Sequence, residues 1–321
     1  MQAFRLATFN LENLDWSAAK PDAFARRTGA LRPLLDALDA DILCLQEIHA
    51  QREHKRGARQ YIALDRLLAA TRYAAFHRAT TVRPGADAPA DVHNLAILSR
   101  WPMRAQRQIH HDLVARWDWR PPREADGSEP EPAPIVWDRP LLYASVELPN
   151  GRALHVVNLH LRAPRASPVA TARGLGSSRA RIEGQFVAAL KREGQALEAR
   201  LFAETLFDAE PNALIAIAGD FNADEHDAPT RLLRGGQDED ASGSRVLVPL
   251  EARVEPSRRF TVIHADRPTL IDNLLASPAL AAAWRETAIL NEGLQDEVYA
   301  TDPIDASLHA PVVVEFELSS R

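Results

Sequence analysis

Residues 213–222 read ALIAIAGDFN, an uncharged apolar run that stops at a glycine, a carboxylate, an aromatic ring and a carboxamide. An apolar run bounded by turn residues is typical of a strand that is buried on both faces. Because side chains alternate along a strand, Asp220 and Asn222 lie on the same side if the extended geometry continues. The pair predicts either a polar site at the end of a buried strand or the start of an ordinary turn.

The composition bounds what the whole chain can be. Its 321 residues are 46% hydrophobic and 26% charged, enough for a sizeable core, and we expect a single domain over residues 1–321. The net charge of −6 argues against coating nucleic acid by bulk electrostatics, although a local basic groove is compatible with it. Cys44 is the only cysteine, so there is no internal disulfide. Without a signal-peptide pattern or an apolar run long enough to span a bilayer, we expect a cytoplasmic protein with no stable membrane insertion.

Strand-like and helix-like patterns alternate irregularly along the chain. This order predicts a layered α/β domain and not a simple doubly wound sheet. The predicted strands cover residues 4–9, 41–47, 93–100, 141–148, 152–160, 213–218, 269–277 and 312–318. The predicted helices cover residues 22–39, 60–70, about 178–207 and 228–235. The expected inner stripe of the longest helix is Ile182, Phe186, Leu190, Leu197 and Leu201.

Two segments interrupt this rhythm. Residues 111–138 are rich in proline and contain Trp117, Trp119 and Trp137, which predicts a surface excursion whose tryptophans either anchor it to the body or form a lid; burial favours the anchor. Residues 162–181 contain five arginines, beginning with Arg162, and no acid. Such a loop suits a polyanionic ligand, although a solvated basic surface explains the charge equally well.

Polar side chains recur where the predicted strands end. They are Asn10 with Glu12, Glu47, Asn158 with His160, Asp220 with Asn222, and His309, and Asp272 is a sixth candidate. The set holds carboxylates, amides and histidines but no cysteine cluster, a combination that suits Mg²⁺ or Mn²⁺ better than zinc. Mg²⁺ typically binds one or two protein carboxylates together with substrate phosphate, and nearby histidines would contact phosphoryl oxygens or move protons.

Six short motifs, in this order along the chain, resemble those of the endonuclease/exonuclease/phosphatase superfamily. They are the segments 8–12 (TFNLE), 45–47 (LQE), 95–100 (LAILSR), 157–160 (VNLH), 219–222 (GDFN) and 309–312 (HAPV). The resemblance implies a four-layered α/β sandwich, in which two packed mixed sheets are flanked by helices. It also implies a divalent-metal phosphoesterase whose site lies at one edge of the sheets.

The same resemblance assigns roles to the strand-end residues. Asp220 would align or deprotonate the attacking water, and Asn222 would help to hold the phosphate and the nucleophile. His309, oriented by Asp272, would contact the phosphate or transfer a proton, and His160 would lie against the phosphate or the leaving group. A phosphodiester resists attack because its oxygens are negative, so donors and positive charge around it are what the chemistry needs.

The implied metal site rests on three residues. Glu47 would be the principal ligand, and Asn10 and Glu12 would complete or support the metal shell. The family usually has an aspartate immediately before the last histidine, whereas this chain has Leu308, and Asp305 is in the wrong register to replace it. The missing carboxylate would weaken metal binding, shift it to a single-site arrangement or mark a degraded enzyme. The retention of the other motif residues favours activity.

Three functions remain open on the sequence alone. The first is a Mg²⁺- or Mn²⁺-dependent endo- or exonuclease on DNA or RNA, with Asn158 and Arg162 as additional phosphate contacts. The second is the same chemistry on a small phosphodiester or phosphomonoester, such as a phospholipid head group, which the negative net charge favours. The third, motivated by Leu308, is a binding protein on the same fold without catalysis.

Overall fold

The computed structural model describes residues 2–54, 56–120, 131–169, 177–235, 245–301 and 304–319. The strands in chain order are β1 (Gln2–Leu14), β2 (Ile42–Ile48), β3 (His77–Thr80), β4 (Asn94–Ser99), β5 (Met103–Ile109), β6 (Trp117–Trp119), β7 (Ala133–Ile135), β8 (Leu141–Glu147), β9 (Ala153–His160), β10 (Leu214–Asp220), β11 (Val248–Pro249), β12 (Val262–His264), β13 (Arg267–Thr269), β14 (Asp272–Ala276), β15 (Trp284–Ile289) and β16 (Val312–Leu318). The α-helices are α1 (Pro21–Leu38), α2 (Ile62–Leu68), α3 (Ser178–Ala209), α4 (Ala228–Arg234) and α5 (Pro278–Ala281).

Two six-stranded sheets form the centre of the molecule. The strand order is β15-β16-β1-β2-β4-β3 in the first sheet and β11-β14-β10-β9-β8-β5 in the second. Each sheet is mixed, because the β1–β2 pair and the β9–β10 pair are parallel while the other described pairs are antiparallel. The carboxyl ends of the two parallel pairs meet at the same edge of the sandwich, which is where the polar strand ends lie.

The fold has four layers because side chains alternate along each strand, so each sheet packs one face against the other sheet and the other face against helices. In β10, Ala216 and Ala218 face the other sheet in a shared core, whereas Ile215 and Ile217 face the layer of α3 and α4. The other face of the first sheet packs against α1 and α2 in the same way. The ALIAIA run is therefore apolar throughout because both of its faces are buried, and the predicted four-layered sandwich is confirmed.

Two expectations about elements need correction. The strand predicted over 269–277 begins only at Asp272, which places this carboxylate at a strand end and not in mid-strand. In α3, Ile182 and Phe186 are exposed, and the helix packs against the second sheet through residues farther along it, such as Ala196, Ala199 and Phe202.

None of the described helices is both long enough and apolar enough to cross a membrane.

The proline- and tryptophan-rich excursion contains the short ribbon β6–β7, and its residues 121–130 lie outside the described residues. Trp137 is buried and donates its ring N–H to a carboxylate oxygen of Glu198 at 2.6 Å. Its ring lies directly over Gly194 of α3, where an added Cβ would come within 2.1 Å of the indole. This tryptophan is therefore an anchor, as burial favoured, and the glycine within the helix makes room for it.

Candidate active site

Asp220 is the last residue of β10 and is almost fully buried. The strand register places it beside His160 at the end of β9 and opposite Asp272 at the start of β14. The preceding Gly219 has φ +145°, and a Cβ there would lie 1.9 Å from the carbonyl oxygen of Leu159. Only glycine fits this close backbone approach, so the GD sequence is dictated by the packing that positions the carboxylate.

Two amide side chains hold the Asp220 carboxylate. Asn222 donates its backbone N–H to Oδ1 at 2.8 Å and its side-chain amide to Oδ2 at 3.1 Å. Asn10, from the other sheet, donates its amide to the same Oδ2 at 3.0 Å. Burial, reinforced by the charge of Asp272, raises the pKa of Asp220 to about 7. A carboxylate that titrates near neutral pH is poised to act as a general base.

His309 and Asp272 form a buried charged pair next to Asp220. The Nδ1 of His309 donates to Oδ2 of Asp272 at 2.8 Å. Burial alone would lower the pKa of His309, but the charge and hydrogen bond of Asp272 raise it to about 10. The ring is therefore an imidazolium at neutral pH, and its Nε2–H has no protein acceptor within the described residues.

Glu47 lies at the end of β2 with its side chain 14% exposed. Its Oε2 accepts the backbone N–H of Asn13 at 2.9 Å, whereas the donors to its Oε1 among the described residues are a long hydrogen bond from Asn10 at 3.4 Å and His160 at 3.8 Å. Potential ligand atoms of Glu47, His93 and His160 lie within 4.8 Å of one another, as do those of Asp220, Asp272 and His309. The described edge therefore contains donor groups suited to a metal ion.

Asn10 and Glu12 make hydrogen bonds within the protein and are not arranged as a simple pair of metal ligands. The Oδ1 of Asn10 accepts the backbone N–H of Glu12 at 2.9 Å, so its NH₂ group, and not its oxygen, faces Glu47 and Asp220. The carboxylate of Glu12 accepts the backbone N–H of Leu308 at 2.6 Å, and burial raises the pKa of Glu12. This contact ties the end of β1 to the segment that presents His309, at the position where the family's aspartate is replaced.

Unusual backbone conformations concentrate at this edge. Nine described residues other than glycine have positive φ, and the five at the edge are Glu12, Asn13, Glu47, His93 and Asn222. Such conformations are uncommon for side chains of these sizes and persist where the surrounding contacts enforce them. Arg27 of α1 supplies part of that enforcement by donating to the carbonyl oxygens of Leu11, Glu12, Ile304 and Ala306.

His160 is nearly inaccessible to solvent and is held by a residue that the sequence analysis did not identify. Arg139, just before β8, donates its Nη1–H to Nδ1 of His160 at 2.6 Å. Burial and then the charge of Arg139 lower the pKa of His160 well below its usual value. His160 is therefore neutral with its proton on Nε2, 3.3 Å from Oδ2 of Asp220. His93, also unforeseen, lies with Nδ1 3.9 Å from Glu47.

Asn158 and Arg162 do not have the positions expected of phosphate contacts. Asn158 is fully buried and uses its amide N–H groups on the carbonyls of Leu45 and Ala96, at 3.0 and 2.8 Å, so it joins the two sheets and has no free group to offer a substrate. Arg162 lies near the site but is paired with Asp138 at 3.2 Å. Residues 170–176 of the arginine-rich loop lie outside the described residues.

The site residues can now be compared with their predicted places. Asn10, Glu47, His160, Asp220, Asn222, Asp272 and His309 meet at one edge through the contacts given above, and Glu12 borders it. The site residues that sequence reasoning missed are Arg139 and His93. Arg139 lies shortly before β8, and His93, although inside the predicted strand 93–100, lies just before β4, so neither of them follows a strand.

Comparison with known proteins gives a consistent picture. The model of the Endonuclease/Exonuclease/phosphatase family matches residues 7–300. None of the curated proteins matches the chain.

Solved structures do match. Truncated TDP2 of Caenorhabditis elegans is 14% identical, with 98% of this chain and 97% of that chain covered and a TM-score of 0.56. The 3′ phosphatase NExo from Neisseria, in a substituted form bound to a product DNA hairpin, is 17% identical, with coverages of 98% and 100% and a TM-score of 0.52. An AP endonuclease from Archaeoglobus fulgidus is 15% identical, with coverages of 98% and 100% and a TM-score of 0.53. At these identities the structural likeness shows the fold.

Proposed function

The chain belongs to the endonuclease/exonuclease/phosphatase family of phosphoesterases, and we propose that it is a Mg²⁺- or Mn²⁺-dependent enzyme that hydrolyses phosphodiester bonds of DNA or RNA. It acts as a single catalytic domain in the cytoplasm. The observation that carries this proposal is the juxtaposition of Asp220, with a pKa of about 7, and the imidazolium of His309, with a pKa of about 10. A base and a cation held together suit attack by water on an anionic ester.

In the proposed reaction, Asp220 accepts a proton from the attacking water as its oxygen bonds to phosphorus. Asn222 and Asn10 fix the orientation of the carboxylate through the hydrogen bonds at 3.1 and 3.0 Å. The Nε2–H of His309 donates to a non-bridging phosphoryl oxygen as charge moves outward, and the bond to the leaving oxygen breaks, with solvent supplying its proton.

The divalent ion would be held by Glu47, whose Oε1 has no donor closer than Asn10 at 3.4 Å among the described residues, with Asn10 and Glu12 supporting the arrangement. When bound, Mg²⁺ or Mn²⁺ would neutralise phosphoryl oxygens that otherwise repel the nucleophile. His160, fixed as a neutral donor, would stabilise Asp220 in its ionised form at the start of the reaction.

A nucleic-acid substrate is supported by the surroundings of the site. A cleft of about 760 Å³ is lined by His49, Arg52 and Arg59 together with Trp16. It adjoins the site through His49, whose ring centroid is 5.5 Å from that of His93. Cationic groups and a partly exposed indole suit a phosphate and a base that flank the scissile bond. Two of the matched structures are DNA-processing proteins by name, which agrees with this choice.

A small phosphoester is the second candidate. The same cleft also carries Asp15, Glu53 and Asp91, and the net charge of the chain is −6, so a long polyanion would meet repulsion as well as attraction. A phosphomonoester or a phospholipid head group would make fewer contacts with those acids. Because Leu308 replaces the family's usual aspartate, a third hypothesis is a binding protein without catalysis. Any measurable hydrolysis would exclude this hypothesis.

An activity panel with DNA, RNA, bis-p-nitrophenyl phosphate and sphingomyelin distinguishes these candidates. We expect hydrolysis of DNA or RNA with Mg²⁺ or Mn²⁺ and none in EDTA. Glu47→Gln should raise the metal concentration needed for half-maximal activity, because it removes the ligand charge but keeps the shape. If nucleic acids stay intact while a small ester turns over, the second candidate replaces the first, and if no substrate is hydrolysed with either ion, the proposed activity is wrong.

A further inference from the structure

Glu47 receives little help from the two residues that the sequence analysis placed beside it around the ion. The oxygen of Asn10 accepts the backbone N–H of Glu12 at 2.9 Å and is turned away from Glu47. The carboxylate of Glu12 accepts the backbone N–H of Leu308 at 2.6 Å. An ion bound by Glu47 would therefore gain from a further protein ligand, and imidazole rings lie next to this carboxylate.

Two histidines face Glu47, and they differ in how their ring nitrogens are used. His160 engages both of its nitrogens, since Nδ1 accepts from Arg139 at 2.6 Å and the Nε2–H lies 3.3 Å from Asp220. His93 has its Nδ1 3.9 Å from Oε2 of Glu47, and this nitrogen is buried with no hydrogen-bond partner among the described residues. A buried polar atom without a partner is uncommon in a folded protein, and an ion that binds there would explain it.

The distance between His93 and Glu47 suits one shared ion. Imidazole nitrogens and carboxylate oxygens bind transition-metal ions at about 2.1 Å, so two ligand atoms of the same ion lie at most about 4.2 Å apart. The 3.9 Å between Nδ1 of His93 and Oε2 of Glu47 is within this limit and is too long for a hydrogen bond. The two atoms are therefore placed to bind an ion between them.

The ring of His93 is held in this position by its surroundings. Its centroid lies 5.5 Å from that of His49 and 6.1 Å from that of His160, and both pairs meet edge to face. The backbone of His93 has φ +57°, a left-handed conformation that is uncommon for residues other than glycine. Backbone strain of this kind clusters at functional sites, where it fixes a side chain in the direction that the site needs.

We propose that His93 is a ligand of the divalent ion, which its Nδ1 binds together with Glu47, and that the site therefore prefers Mn²⁺ to Mg²⁺. This inference rests on the proposed function and names a ligand and an ion for the same site. Mg²⁺ is a hard cation that takes oxygen ligands, whereas an imidazole ligand favours transition metals. When the proton of His93 is on Nε2, its Nδ1 has the lone pair that coordination requires.

The test is calorimetric titration of the full chain, stripped of metal with EDTA, with Mn²⁺ and with Mg²⁺ in the absence of substrate. His93→Gly removes the ring and accepts the positive φ without strain. It should weaken Mn²⁺ binding by about 10- to 100-fold and change Mg²⁺ binding by less than about threefold. The matched control is His77→Ala, which removes an exposed histidine opposite Ser99, at the other end of β4, and it should bind both ions like the wild type.

Pulsed EPR of Mn²⁺ bound to the wild type gives a second readout that does not depend on any variant. A directly bound imidazole couples its nitrogen to the manganese, and we expect this coupling in the wild type and its loss in His93→Gly. Unchanged Mn²⁺ affinity of a His93→Gly protein that is folded by circular dichroism would overturn the inference. If that variant does not fold, a wild-type spectrum without nitrogen coupling overturns it.

Failure of the proposed function is a separate result, because hydrolysis by the wild type is scored independently of metal binding. A protein that hydrolyses nucleic acid but binds Mn²⁺ without His93 contradicts this inference alone. A protein that binds Mn²⁺ through His93 and hydrolyses no ester contradicts the proposed function alone.

Discussion

Replacing Asp272 with asparagine should remove the positive charge of His309 at alkaline pH. In the wild type the pKa of Asp220 is about 7 and that of His309 about 10, so both groups have their reactive charge between these values and the pH–rate profile is a bell. The asparagine can still accept the Nδ1–H of His309, but it provides no charge, so the pKa of His309 should fall below about 10, although the charges of Asp220 and Glu47 still raise it against the effect of burial. Each unit by which this pKa falls below the assay pH lowers the protonated fraction about tenfold, and we expect kcat at pH 8.5 to fall by about 10- to 100-fold.

The sign of each limb makes this prediction specific. Loss of the Asp272 charge removes one cause that raises the pKa of Asp220, whereas loss of the His309 charge removes one that lowers it. These effects on the acidic limb oppose each other, so the shift of the alkaline limb to lower pH carries the prediction. The assay is a pH series of hydrolysis rates for the wild type and Asp272→Asn, with NMR titration of the His309 ring nitrogens alongside. Asp266→Asn, in the exposed β12–β13 turn, is the matched control and should leave the profile unchanged. If Asp272→Asn keeps its alkaline limb near pH 10 and its rate at pH 8.5, the reasoning is refuted.

Three further substitutions test how the fold holds the site. Gly219→Ala should lower the free energy of unfolding in urea by more than about 3 kcal/mol, since its Cβ would overlap the carbonyl of Leu159, and wild-type stability would contradict the close approach of β9 and β10 at this point. Asn158→Leu should cost about 2–4 kcal/mol because it removes the amide donor to two carbonyls and one of the two acceptors of the Gln46 amide, while the KM of any folded enzyme stays near the wild-type value; a large rise in KM would support Asn158 as a phosphate contact. Trp137→Ala should cost about 3–5 kcal/mol because it opens a cavity over α3 and removes one of the donors to the buried Glu198, and thermal unfolding that is unchanged would show that the loop is not anchored there.

The parts of the site that follow strands could be predicted from sequence. In β10 an apolar run buried on both faces must end where the core ends, so Asp220 and Asn222 could be placed at an edge before any coordinates were known. Short-range patterns of this kind predict which residues lie at the end of a strand. They do not describe what lies across the sheet interface, and they gave no sign that Asn158, whose strand was correctly identified, would be buried between the sheets with its amide bonded to Leu45 and Ala96.

Arg139 and the inner face of α3 illustrate the other limit. Arg139 precedes β8 without any periodic signal, and only the three-dimensional arrangement shows that its charge is buried next to His160, with no ion-pair partner among the described acids. In α3 the large apolar side chains Ile182 and Phe186 suggested the buried face, but the residues that share a core with β10 lie farther along the helix and include Ala196, Ala199 and Phe202. Size complementarity between layers is a property of the packed pair and is not encoded in one segment.

The replacement at Leu308 has a structural counterpart. Its backbone N–H is bound by the carboxylate of Glu12, so an acid is present beside this position although the residue itself is apolar. The acid comes from the end of β1 and not from the segment before β16. This arrangement keeps the His309 segment in place and is compatible with the retained set of catalytic side chains.

The most direct test of the central claim, that Asp220 is the base of a metal-dependent phosphodiesterase, is the rate of DNA hydrolysis by the wild type and by Asp220→Asn at pH 8.5 with saturating Mg²⁺ or Mn²⁺. We expect cleavage by the wild type and a rate at least about 100-fold lower for the variant, the contribution typical of a general base, with the fold unchanged by circular dichroism. Cleavage by Asp220→Asn at the wild-type rate would contradict the assignment of the base, and an inert wild type would contradict the activity itself.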